Sequence, residues 1–138
     1  MNLKPRLLLL AGTTVLYSAV AYRGLDNKVL LSGEHVFVTT EFTVVEMCRI
    51  LTTKRGLEGS EALELVESMP VLVASHDFVR GRWDEADGLI SKRDKSDIPL
   101  VALALTIDGH DGICSTDKDF DVVRGRFKVW KTRELLKA

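Results

Sequence analysis

The sequence predicts an α/β fold: a mostly parallel central sheet with helices on both faces, a three-layer sandwich. Three observations carry this. Leu7–Ala11 is a short, wholly apolar run that stops at Gly12, which is how a strand buried on both faces reads. Short strand-like runs recur at Val36–Val38, Val71–Ala74, Ile113–Ser115 and Phe127–Val129. Between them lie stretches with helical spacing, so strands and helices alternate along the chain.

Each element follows from its own residues. Thr14 is expected to cap a helix over Val15–Tyr22 that ends at Gly24, and Asp26–Leu31 reads as a second short helix closed by Gly33. After the Val36 strand, Thr40 caps a helix from Glu41 to about Thr53, ended near Gly56. Its apolar residues spread round most of the wheel. At about 100° per residue, Glu46 falls between Phe42 and Ile50, so its carboxylate has apolar neighbours. Ser60 is expected to cap the next helix, through about Ser68, with Leu63, Leu65 and Val66 as its apolar residues. Pro70 marks the start of strand Val71–Ala74. Phe78–Ser91 is helical by spacing, with Trp83, Ala86, Leu89 and Ile90 inward. Ile98–Ile107 is a helix that is apolar nearly all round. A polar loop at Asp108–Asp111 leads to the Ile113 strand. Phe127–Val129 is the last strand, and Thr132 caps a terminal turn through Leu136.

The chain of 138 residues suits one domain, residues 1–138, and its 46% hydrophobic content is ample for a core. The formal net charge of −1 excludes a global polycation, so nucleic-acid binding would need local basic patches. Cys48 and Cys114 are far apart and lack zinc-ligand spacing, which reads as free buried thiols in a reducing, cytoplasmic setting. Lys4, Arg6 and Leu7–Ala11, followed by Ala19-Val20-Ala21, resemble a secretory signal. Gly12-Thr13-Thr14 interrupts that run, however, and the sheet needs it as a strand. No stretch reaches the ~20 apolar residues needed to span a membrane.

Three carboxylates stand out. Asp97 opens the Ile98 helix, Asp117 follows the Ile113 strand, and Glu46 has apolar flanks. Each has a structural explanation: Asp97 as a helix cap, Glu46 paired with Arg49 at i+3, Asp117 in turn chemistry. Together they place hard oxygen ligands where an α/β sheet gathers its strand ends, which suits Mg²⁺ or Mn²⁺.

A family resemblance then becomes visible. Trp83-Asp84-Glu85-Ala86, Lys92-Arg93-Asp94, Asp97-Ile98-Pro99-Leu100-Val101-Ala102-Leu103-Ala104-Leu105 and Ser115-Thr116-Asp117-Lys118-Asp119-Phe120 carry it, with Phe37 through Ile50 supplying a second acidic position at Glu46. The chain resembles the PIN domain, the metal-dependent nuclease fold of VapC-type toxins and many RNA-processing proteins. The likeness covers essentially the whole chain. It departs at the first motif, where Leu-Leu-Leu-Ala-Gly12-Thr13-Thr14 puts Gly12 where the family has an aspartate. One of the family's four main metal-directing carboxylates is therefore missing.

The resemblance implies hydrolysis of RNA phosphodiesters with Mg²⁺ or Mn²⁺. Asp97 and Asp117 would be the main ligands. Glu46 would bind the metal or orient water, Asp119 would support the shell, and Asp94 matches more loosely. The Thr13 and Thr116 hydroxyls would assist. Single-stranded RNA would approach through Arg93 and Lys118, with Lys92, Lys95, Arg80 and Arg82 as further cations. A homodimer and an antitoxin protein are the implied partners. The alternative is a PIN-like module that has lost catalysis and keeps RNA or protein binding. A third reading is an unrelated α/β domain whose carboxylates are caps. His35, His76 and His110 have no partner spacing, and Trp83 and Trp130 read as core or interface.

Overall fold

The wholly apolar run near the N-terminus forms the middle of the sheet. A computed structural model describes residues 6–90, 95–115, 120, 123 and 125–137. Strands β1 (Leu8–Ala11), β2 (Val36–Thr40), β3 (Val71–Ala74), β4 (Gly112–Cys114) and β5 (Val129–Trp130) lie in the order β3-β2-β1-β4-β5. Every pairing is parallel. Leu9, Leu10 and Ala11 are fully buried, as a strand covered on both faces requires.

Alternation along β1 and β2 divides the core in two. Leu10 and Val38 face one cluster, built with α6 (Trp83–Ile90) and α7 (Ile98–Thr106). Leu9, Ala11 and Phe37 face the other, built with α1 (Thr13–Ala21), α2 (Leu25–Leu31), α3 (Glu41–Arg55) and α4 (Gly59–Glu67). The result is the three-layer sandwich that the sequence predicts. All eight residues from Ile98 to Leu105 are buried, which accounts for a helix apolar on every side. Among the described residues no helix is long and apolar enough to cross a membrane.

Several boundaries differ from the sequence expectation. Thr14 does not cap α1. Gly12 takes the cap position with extended backbone, so the helix starts at Thr13 directly after the strand. Gly24 begins α2 instead of closing α1. Ser60 is already inside α4, because the chain turns at Glu58, whose N–H donates to Glu61 Oε1 at 3.3 Å. Leu63 and Leu65 are exposed, while Ala62 and Val66 are buried. The expected Phe78–Ser91 helix is split into α5 (His76–Val79), a 3₁₀ turn at Arg80–Arg82 around Gly81, and α6.

The last strand is Val129–Trp130 rather than Phe127–Val129. Trp130 Nε1 donates to the Asp111 carbonyl at 2.8 Å, and Ile113 N donates to Lys128 O at 2.8 Å. Gly112, at φ 130°, permits this approach, since a Cβ there would collide with the Lys128 carbonyl oxygen. Thr132 opens α8 (Thr132–Lys137), but its hydroxyl donates to Asp26 Oδ1.

Candidate active site

In the strand order, β1 has β2 on one side and β4 on the other, which makes the carboxyl ends of β1 and β4 the topological switch point. A cavity of about 310 Å³ opens there. Gly12 and Thr13 reach it from the junction of β1 and α1, and Ser115 from just past β4. Glu46 and Thr43 reach it from α3, and Ser96 and Asp97 from the turn before α7. The structure thus brings together four positions that the sequence singles out: Gly12, Thr13, Glu46 and Asp97.

Glu46 is held by a well-bounded helix. The Thr40 hydroxyl accepts from Thr43 N at 3.2 Å at the start of α3, and Gly56 ends it in the left-handed conformation at φ 69°. Phe42, Glu46 and Ile50 fall on one face, one turn apart. Glu46 is half-buried, and among the described residues no ion pair joins it to Arg49. The i+3 pairing that would explain it away is not formed.

Asp97 is also half-buried. It ends a 3₁₀ turn (Lys95–Asp97) with helical backbone, φ −88° and ψ −10°, and makes no capping hydrogen bond to α7. A side-chain cap requires an extended backbone at that position, so this geometry turns the carboxylate away from capping. Pro99, in the first turn of α7, has no N–H to be capped.

Thr116, Asp117, Lys118, Asp119, Lys92, Arg93 and Asp94 lie outside the described residues. Ser115 and Phe120, which flank the Thr116–Asp119 segment, both line the cavity.

At Gly12 the backbone is ordinary, φ −100° and ψ −173°, so nothing there demands glycine. A Cβ would stand 3.1 Å from Leu100 Cδ2. The groups around the cavity that could ligate a metal are oxygens, the right kind for a hard divalent cation. In number they fall short. Glu46 and Asp97 are the two carboxylates among the described residues lining the cavity, and no group of three or more Asp, Glu, His or Cys gathers among the described residues to hold a metal.

Of the cations the sequence offers, Arg80 and Arg82 lie away from the cavity. Arg80 pairs with Asp77 at 3.6 Å and Arg82 with Glu85 at 2.7 Å, and neither lines the cavity. The Arg82 hydrogen bond, with help from Arg126, holds the exposed Glu85 carboxyl below the usual glutamate value. Among the described residues, the cation in the cavity wall is Lys54, at i+8 from Glu46. Helical spacing from Glu46 could have found it. Tyr17 lines the cavity too, its hydroxyl accepting from Arg55 Nε at 3.1 Å. Among the histidines, His35 Nδ1 accepts from Leu7 N and His110 Nδ1 from Gly112 N, both structural contacts.

A family model for the PIN domain matches residues 13–138. The chain belongs to the PIN domain family. PIN domains are in general nucleases that depend on divalent metal, and their fold is the one seen here. The match to the PIN model begins at Thr13, one residue past the glycine at the end of β1. A search of curated proteins finds no match.

Proposed function

We propose that this PIN domain hydrolyses phosphodiester bonds of single-stranded RNA with Mg²⁺ or Mn²⁺. The observation that carries the reading is the convergence of Thr13, Glu46 and Asp97, from three separate stretches, on one cavity at the switch point of the sheet. Glu46 and Asp97 would hold the cation, with Asp117 and Asp119 as the further carboxylates the sequence offers. When bound, the cation supplies Lewis-acid polarisation of a phosphate oxygen and acidifies a water.

The protein's own groups supply the positioning. Lys54 offers a positive charge to the phosphate in the cavity wall. Thr13, Thr43, Ser96 and Ser115 offer neutral hydroxyls to phosphate or ribose oxygens. A recessed site of this kind favours a splayed single strand over a duplex. Arg93 and Lys118 would add cations beside the acidic motif. The family likeness extends the proposal to a toxin role with an antitoxin partner, and to a homodimer.

One observation favours a second reading, a PIN module that binds RNA or protein without cleaving. Gly12 brings no carboxylate, and Leu100 crowds the space one would enter.

Mn²⁺ titration and cleavage of a labelled single-stranded RNA test the first reading on this chain, Glu46→Gln and Asp97→Asn. Each substitution should weaken Mn²⁺ binding at least tenfold and abolish cleavage. Mn²⁺ affinity unchanged in both variants would sink it. RNA binding without cleavage in the parent chain would select the second reading.

A further inference from the structure

A second cavity, of about 280 Å³, adjoins the first and shares Thr13, Thr43, Glu46 and Ser96 with it. Glu46 therefore stands on the ridge between the two. The character of the second cavity is different. Its own walls are Phe42, Val45, Trp83 and Pro99, with the exposed Arg49 completing it. The Phe42 and Trp83 rings lie 5.1 Å apart, tilted by 46°. His76 packs edge-on against both, at 5.0 and 6.0 Å, which fixes the pair.

We infer that this cavity receives one unstacked base of a single-stranded RNA whose phosphate enters the acidic cavity. The inference rests on the nuclease reading and adds a base-binding subsite to it. Three observations select this occupant. The cavity shares four lining residues with the carboxylate site, so one nucleotide can reach both. Its aromatic and aliphatic walls match the flat apolar faces of a base, and every base has such a face. Arg49 is a cation free of any ion pair to Glu46, available to the phosphate or to a base edge. Trp83 thereby has a role beyond the core position that helical spacing assigns it.

The test uses the full chain with Trp130→Phe, which leaves Trp83 as the single tryptophan. Two probes are compared in Ca²⁺ buffer: a single-stranded RNA octamer and an abasic ribose-phosphate octamer. Trp83 fluorescence and end-label anisotropy are both read. The RNA should quench Trp83 and bind about tenfold tighter than the abasic oligomer, because stacking is lost in the latter. Phe42→Leu should weaken RNA about tenfold and the abasic oligomer less than twofold, an outcome that a misfolded variant would not give. Equal affinity for the two oligomers, or RNA binding with Trp83 unquenched, overturns the subsite and leaves the nuclease reading standing. Failure of both oligomers to bind overturns both readings. If Trp83 fluorescence instead tracks protein concentration, in step with a monomer–dimer shift in sedimentation, the cavity is a self-contact and the inference falls.

Discussion

Leu100 Cδ2 lies 3.1 Å from the point where a Cβ on Gly12 would stand. The Gly12 backbone is extended and open to any residue, so the glycine is not there for its conformational freedom. What resists a side chain is one methyl group of a leucine that is itself buried. Gly12→Ala should therefore destabilise the fold by about 1 kcal/mol, the cost of mild overpacking. In a Leu100→Ala background the same change should cost nothing. Urea denaturation of the four chains gives the coupling directly. Additive effects would mean that the contact has no energetic weight.

Lys54 and Arg82 make opposite predictions for RNA binding. Lys54 lines the acidic cavity, whereas Arg82 is turned to Glu85. Lys54→Ala should weaken single-stranded RNA several-fold and reduce the salt dependence of binding by about one counterion. Arg82→Ala should leave both unchanged. Anisotropy titrations across a salt series distinguish the two residues.

Thr40 links stability to the site. Its hydroxyl caps the helix that carries Glu46, Arg49 and Lys54. Thr40→Ala should cost about 1 kcal/mol. Because the far end of α3 is held separately by Gly56, hydrogen exchange should rise in the first turn of α3 more than in the last.

Cys114 gives a pH signature. Burial pushes its thiol from the usual 9.0 up to about 12, against a lowering contribution from the Thr132 hydrogen bond. Between those values the unfolded chain loses a proton that the folded chain keeps. The stabilisation is thus fully present below about pH 9 and is lost as pH rises toward 12. Compared with Cys114→Ser, the parent should lose stability more steeply in that window, by about 1 kcal/mol per pH unit. A thiol reagent at neutral pH should label the half-buried Cys48 well before Cys114.

The sequence made the architecture legible where local signals and burial agree. The all-apolar β1 run, the all-round apolar α7 and the Thr40 and Gly56 bounds of α3 all stand as expected. It misplaced elements fixed by something else. The junction at Gly12 carries no side-chain cap to read. Glu58 and Ser60 can both start a helix, and only the Glu61 contact decides between them. β5 is placed by the bond from Trp130 to Asp111, a long-range contact that no local pattern encodes. Around the cavity, Glu46 and Asp97 are legible because acidic residues next to apolar ones are conspicuous. Lys54 is not, and Arg49 reads only as a pairing partner of Glu46, because exposed cations on a helix look alike until the neighbouring elements are in place.

The most direct test compares cleavage of a single-stranded RNA in Mn²⁺ by three proteins: this chain, Gly12→Asp, and Gly12→Asp with Asp97→Asn. A site weakened at Gly12 predicts that Gly12→Asp cleaves at least about tenfold faster than this chain and that the added Asp97→Asn abolishes the gain. Equal rates for the first two proteins, or no cleavage by any of them, would contradict it.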